Sequence, residues 1–326
     1  MMRIGTAIAA VCMEVFLGVC LGSAGAFADA PPCPQIKIIV PFSAGGASDL
    51  TARVVADPLG KALKKTIVIE NKVGATGNIG TAVVAKSAPD GCTLGVNVAA
   101  ILSYKYIFSD LGYDPDKDLV PIGGVGKSPS LILTSASSPL KNLKDLVALS
   151  KEKGGLSYAT AGLGLSPHLA VVELARVSGA KFDSVFYRGA PDFMGDLMTG
   201  RVTFGSTAAA NSMPLVREGK LKALAVMQAE RSPLAPDVPS SAEQGLSALD
   251  GSSHFMLFAP ANTPKDTITT LSTELKKIVG DGATRARLHE LGFDASPIDA
   301  QEALAVVRKL GQDLEPIVKA LDLKSK

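Results

Sequence analysis

Val40-Pro41-Phe42-Ser43-Ala44-Gly45-Gly46-Ala47-Ser48-Asp49 joins an apolar run, Ile36 to Val40, to a helical pattern. The run stops at a proline, a glycine pair follows, and Ser48-Asp49 has the form of a helix start whose first backbone N–H groups lack partners inside the helix. Such a turn suits an anion. Glycines let backbone approach a ligand closely, and the helix start adds free donors and the positive end of the helix dipole. The same stretch also reads as a plain connection between a strand and a helix.

Outward from this stretch, short β-branched runs alternate with helical patterns, which argues for parallel α/β units and against a sandwich or a bundle. Leu50, Val54, Val55, Leu59 and Leu63 recur near helical spacing, with Pro58 expected to kink the helix. Thr66 to Glu70 reads as a second strand. Gly74-Ala75-Thr76-Gly77-Asn78-Ile79-Gly80 opens a further helix, and Pro89-Asp90-Gly91 turns into a third strand, Cys92 to Asn97. Val120 to Val125 and Leu131 to Thr134 flank Ser128-Pro129, which reads as a crossing into a second domain. The rhythm then restarts, with strands from Leu156, Phe182, Val202 and Leu221 separated by helices from Leu143, Ser166, Pro191 and Ser212. A proline-rich link beginning at Ser232-Pro233 returns the chain to a strand, Phe255 to Ala259, and to helices from Pro264, Thr284 and Ala300. The expected architecture is α/β and two-lobed, each lobe a mostly parallel sheet flanked by helices, with two crossing segments. Lobe 1 comprises residues 29–126 and 228–326, and lobe 2 residues 127–227.

The ends and the composition set the compartment. Met1-Met2-Arg3, an apolar stretch from Ile4 to Leu21 and Ala26-Phe27-Ala28 have the form of a secretory signal, so residues 1–28 are expected to be removed. Glu14 and several glycines interrupt the run, which counts against an uncleaved anchor. Val19 before Cys20 counts against lipid attachment. Roughly 300 residues remain, enough for two domains. With 33 Lys plus Arg against 31 Asp plus Glu and no basic run, a nucleic-acid partner has no support. Of the four cysteines, Cys33 and Cys92 remain after the leader, each just ahead of a strand. If those strands are parallel neighbours, an oxidising compartment would permit a bridge between them.

Leu156-Ser157-Tyr158-Ala159-Thr160-Ala161-Gly162-Leu163-Gly164-Leu165-Ser166-Pro167-His168 repeats the logic of the opening stretch. A strand runs into a glycine-rich loop, and a helix starts with Ser166 as N-cap and Pro167 at its first position. Two such loops, one per lobe at strand C-termini, would face each other across a cleft, where open α/β sheets bind ligands.

Several blocks then point to one family. Val40-Pro41-Phe42 with Gly45-Gly46 and Asp49, Glu70-Asn71-Lys72 with Gly77-Asn78-Ile79-Gly80, and Ala88-Pro89-Asp90-Gly91 resemble the substrate-binding proteins of tripartite tricarboxylate transporters, the Bug or TctC proteins. The likeness continues through Tyr113-Asp114-Pro115, Tyr187-Arg188-Gly189, Pro236-Asp237-Val238-Pro239 and Ala259-Pro260 across the mature chain. It implies a type II periplasmic-binding-protein-like fold that closes on a small organic mono- or dicarboxylate and delivers it to a membrane permease, as a periplasmic monomer without catalysis or cofactor. The ligand-binding positions it implies are Phe42, Ser43, Ala44, Gly45, Gly46, Ser48 and Asp49 on one lobe. On the other they are Ala161, Gly162, Gly164, Leu165, Ser166, His168 and Thr207. Asp49 cannot attract a carboxylate and is expected to hold the loop through backbone N–H groups.

Departures from the family pattern bear on specificity. Leu165 stands where Thr is common, Val98 and Ala99 where hydroxyl residues are common, Thr207 where Asp is common and His254 where Trp is common. The loss of an acid at Thr207 argues against an amino-acid ligand. Three rival readings fare less well. Gly164-Leu165-Ser166-Pro167-His168 resembles a nucleophile elbow with His168 in place of the last glycine, but no acid or second histidine completes a triad. Ala75-Thr76-Gly77-Asn78-Ile79-Gly80 approaches a dinucleotide fingerprint but lacks its first glycine and its later acid. A ligand-free sensory or scaffold protein reusing the fold is the third. No His, Cys or carboxylate cluster has metal spacing.

Overall fold

The computed structural model describes residues 31–246 and 250–320. The expected leader, residues 1–28, lies outside the described residues. In chain order the elements are β1 (Gln35–Val40), α1 (Ala47–Leu63), β2 (Thr66–Asn71), α2 (Asn78–Ala85), β3 (Thr93–Val98), α3 (Tyr104–Ile107), β4 (Leu119–Ser128), β5 (Ser130–Ser135), α4 (Leu143–Lys153), β6 (Leu156–Thr160) and α5 (Ser166–Ser178). They continue with β7 (Phe182–Phe186), α6 (Ala190–Met198), β8 (Phe204–Ala208), α7 (Ala209–Arg217), β9 (Leu221–Val226), β10 (Ser253–Pro260), α8 (Lys265–Gly280), α9 (Gly282–Glu290), β11 (Asp294–Ala295) and α10 (Ala300–Ala320).

These strands form two sheets with flanking helices. One sheet has the order β11-β4-β10-β3-β1-β2, the other β7-β6-β8-β5-β9. Ile36, Ile38, Ile39 and Val40 of β1 are all buried, the mark of an inner strand covered on both faces. Leu131, Ile132 and Leu133 play the same part in β5 of the second sheet.

Most strands in each sheet share one direction, as expected, with β10 and the short β11 reversed in the first sheet and β5 reversed in the second. β1 runs parallel to β2 and β3, but β10 runs antiparallel to β3 and β4. In the second sheet β6 is parallel to β7 and β8, whereas β5 is antiparallel to β8 and β9. The physical reason lies in the connections. β5 and β10 enter their sheets directly from the crossings between sheets, not through a helical crossover, and only the latter forces parallel pairing.

The first crossing takes a single residue, Pro129, between β4 and β5. The return runs from β9 to β10. The crossings are bonded to each other, since Met227 N–H donates to Ser130 O at 2.8 Å and Gly251 N–H to Met227 O at 2.9 Å. Ser130 Oγ also donates to Gly251 O. Ser128 Oγ donates to Gly292 O at 2.8 Å and accepts from Ala210 N–H at 3.1 Å. Two adjacent bonded strands make a narrow joint on which the sheets can hinge.

Cys33 and Cys92 are joined by a disulfide with Cα atoms 5.9 Å apart. The parallel pairing of β1 with β3 brings the two strand starts side by side, with Lys37 N–H donating to Cys92 O at 2.8 Å. Pro58 lies inside α1, which continues past it to Leu63. Gly60 packs its backbone against Lys65 O and the Ile67 side chain.

Candidate functional site

The opening loop is held by Asp49, although not at the expected cap. α1 starts at Ala47, with extended Gly46 as its N-cap and no side-chain capping bond. Asp49 therefore sits in the first turn and reaches back, accepting from Gly45 N–H at 2.9 Å. Arg53 Nε donates to the same carboxylate at 2.7 Å, and Asn71 Nδ2 at 3.1 Å. Asn71 also donates to Phe42 O at 3.0 Å. Burial pushes the Asp49 pKa up, but the Arg53, Gly45 and Asn71 bonds outweigh it and hold the carboxyl below its usual range. Gly45 has φ +77, a conformation that favours glycine, and this lets the loop turn back on Asp49.

The second loop follows the same plan with a histidine. Leu165, not Ser166, is the N-cap of α5, so Ser166 and Pro167 occupy the first two helical positions. His168 Nδ1 accepts from Gly164 N–H at 3.2 Å. Burial lowers the His168 pKa to about 4, so the ring is neutral with its proton on Nε2. It stacks on Tyr158, whose ring lies 6.5 Å away.

The two loops meet. A Cβ at Gly164 would lie 2.0 Å from Ile107 Cδ1, and one at Gly162 would lie 2.5 Å from Thr76 Cγ2. Leu163 N–H donates to Thr76 Oγ1 at 3.3 Å, and Ser43 Oγ to Asp192 Oδ2 at 2.8 Å. Leu165 and Leu169 join the apolar cluster of the first sheet. The turn Gly74 to Gly80 thus lies against the second loop.

A pocket lies between the loops, with about 450 Å³ of empty space including the part open to solvent. Its wall contains Gly46, Ala47 and Ser48 at the start of α1, Leu165 and Pro167 at the start of α5, Gly189 and Ala190 at the start of α6, and Thr207 and Ala208 at the start of α7. Gly46, Leu165, Gly189 and Ala208 are the N-caps of these four helices, and none makes a side-chain capping bond. Ala209 and Ala210 N–H are taken by Pro129 O and Ser128 Oγ. The other three helices open with N–H groups that have no acceptor inside the helix. Phe42, Val98, Ala161, Asn211, Ser253 and Phe255 complete the wall, and no charged side chain belongs to it. Four dipoles of the same sense, on a wall without cations, make an anion site built from backbone.

Of the residues expected at the ligand, the structure brings Phe42, Gly46, Ser48, Ala161, Leu165 and Thr207 to this wall. Ser43, Ala44, Gly45, Asp49, Gly162, Gly164, Ser166 and His168 are not among its lining residues. Asp49 and His168 hold the loops, Ser43 bonds Asp192, and Gly162 and Gly164 provide the close approach between lobes. His254 also lies off this wall. It sits beside Lys127 and Asp250, its pKa lowered to about 4 chiefly by burial. Sequence reading missed Gly189-Ala190, Asn211, Ser253 and Phe255. A glycine before Pro191 was the available signal for the start of α6. Among the described residues no group of His, Cys, Asp and Glu could hold a metal, and no helix is long and apolar enough to cross a membrane.

Comparison with known proteins agrees with this geometry. An R. palustris protein with adipate has a TM-score of 0.84 and 29% identity, covering 88% of this chain and 97% of that one. MatC from Rhodopseudomonas palustris with bound malate has a TM-score of 0.81 and 30% identity, covering 88% and 99%. The periplasmic binding protein BugD has a TM-score of 0.82 and 30% identity, covering 90% and 99%. Residues 51–323 match the model of the tripartite tricarboxylate transporter family receptor, TctC, and the chain belongs to that family.

Proposed function

We propose that this chain is a periplasmic receptor that captures a small organic carboxylate between two lobes and passes it to the permease of a tripartite tricarboxylate-type transporter. The observation that carries the reading is the convergence of three helix starts with open N–H groups, those of α1, α5 and α6 from both lobes, on a pocket without charged side chains. A carboxylate is the small anion such N–H groups and dipoles hold well. An ammonium group would find no acidic partner among the lining residues, which disfavours an amino acid. Adipate and malate, named with two relatives, are ligands of the proposed kind.

The lobes are built on the two sheets, with the return link from Ser232 to Leu246 packed on the second, and are hinged at Ser128-Pro129-Ser130 and between Met227 and Gly251. The carboxylate docks on one lobe, and closure brings the second loop over it. The direct contacts of Ser43 with Asp192 and of Thr76 with Leu163 support such a closed form. A catalytic role is not favoured, because His168 Nδ1 already accepts the Gly164 N–H and Nε2 carries the ring proton, which leaves no lone pair to take a proton from Ser166.

The test is native mass spectrometry of freshly purified protein for a bound acid, followed by thermal shift against a carboxylate panel. Stabilisation that grows with ligand concentration supports a receptor. Turnover of the acid, or no response to any acid, contradicts it.

A further inference from the structure

The pocket holds one polar side chain with an unmet need. Asn211, in the first turn of α7, donates from Nδ2 to Thr207 Oγ1 at 2.7 Å, while its Oδ1 is buried without a hydrogen-bond partner. Both residues belong to the pocket wall, among apolar neighbours such as Leu165, Val98 and Phe255. A buried amide oxygen without a partner is costly.

We propose that Asn211, oriented by Thr207, reads a hydroxyl group on the bound acid, so that the receptor selects a hydroxy-carboxylate over its deoxy counterpart. The inference rests on the carboxylate reading above and names the ligand class more closely. As placed, Oδ1 accepts a hydrogen bond from the ligand hydroxyl. A half-turn of the amide keeps its bond to Thr207, which then donates, and presents the amino group to the ligand oxygen instead. A hydroxyl satisfies either orientation because it both donates and accepts. A second carboxylate satisfies only the flipped one, and a methylene satisfies neither. The helix starts hold the carboxylate in every case, so Asn211 sets selectivity and contributes little to the binding of a plain acid.

The experiment is isothermal titration of the full mature chain with matched pairs, malate against succinate and 3-hydroxybutyrate against butyrate. The expected result is a preference for the hydroxylated member of about tenfold or more in at least one pair. Asn211→Leu should bring that pair to within about threefold by weakening the hydroxylated acid alone, whereas Asn211→Gln should keep part of the preference. Equal binding within every pair by the unaltered protein overturns the proposal while leaving the carboxylate reading intact, and it needs no variant to fold. A preference that survives Asn211→Leu also overturns it. Binding of neither member of any pair, by protein that is folded by circular dichroism, removes the carboxylate reading and this proposal with it.

Discussion

Ser43 Oγ donates a hydrogen bond of 2.8 Å to Asp192 Oδ2, tying the loop ahead of α1 to the first turn of α6 on the opposite sheet. The backbone of Gly189 lies so close to Ser43 that a Cβ there would meet Ser43 Cβ at 2.8 Å. The bond therefore spans the cleft at a point of contact and forms only when the lobes are together. Ser43→Ala and Asp192→Ala should each speed ligand release. In a double-mutant cycle on affinity the two should couple by about 1 kcal/mol. Strictly additive effects would show that the pair is not a latch.

Gly164 is where closure has least room. Its φ is +77, and Ile107 of α3 occupies the space a side chain would need. Gly164→Ala should cost about 1 kcal/mol in the second lobe through its backbone conformation. It should also lower carboxylate affinity by more than this, because the second loop can no longer settle against Ile107. Small-angle scattering in saturating ligand is the check, with the variant remaining more extended than the parent protein.

Acid should destabilise the fold in two stages. The pKa of buried His168 is lowered to about 4, against an ordinary value of 6.5. The unfolded chain thus binds a proton at a higher pH than the folded one, and the stability that neutral His168 provides is complete above pH 6.5 and lost as pH falls toward 4. The shift is worth about 3 kcal/mol. His254, also lowered to about 4, acts in the same direction. Asp49, held below its ordinary value of 3.8, adds a loss at still lower pH, as its folded-state pKa is reached. Urea unfolding between pH 7.5 and 4.5 should show this slope, and His168→Asn should flatten it.

The Cys33–Cys92 disulfide closes a sequence separation of 59 residues. In the chain-entropy model such a bridge contributes on the order of 4 kcal/mol. Reduction, or Cys33→Ser with Cys92→Ser, should move the urea midpoint down accordingly while leaving carboxylate selectivity unchanged, since neither residue lines the pocket. A thiol titration of unfolded, unreduced protein should find no free thiol on this pair.

How far the sequence disclosed this molecule depended on the range of the interaction. The two glycine loops were legible because a strand, a glycine pair and a helix start occupy adjacent positions, so Phe42, Gly46, Ser48, Ala161 and Leu165 were found as pocket residues. The division of labour within each loop was legible only in part. Asp49 was expected to bond backbone N–H groups and does so at Gly45, and His168 does the same at Gly164, but that Ser43, Gly162 and Gly164 serve contacts between the sheets and not the pocket wall shows only in the distances. Ser253 and Phe255 reach the pocket from β10, whose position between β3 and β4 follows from a return crossing that no local pattern encodes. The reversed directions of β5 and β10 escaped for the same reason. Asn211 was missed because an asparagine in the first turn of a helix carries no signal until its bond to Thr207 and its unpartnered oxygen are seen together.

The central claim is that backbone at the starts of α1, α5 and α6 recognises a carboxylate. Isothermal titration with a panel of short mono- and dicarboxylates, and with the methyl esters of the same acids, tests it most directly. The expected result is one-to-one binding of at least one acid, with its ester, similar in shape but without charge, weaker by about a hundredfold or more. Equal affinity for acid and ester, or no binding of any acid by folded protein, would contradict the account.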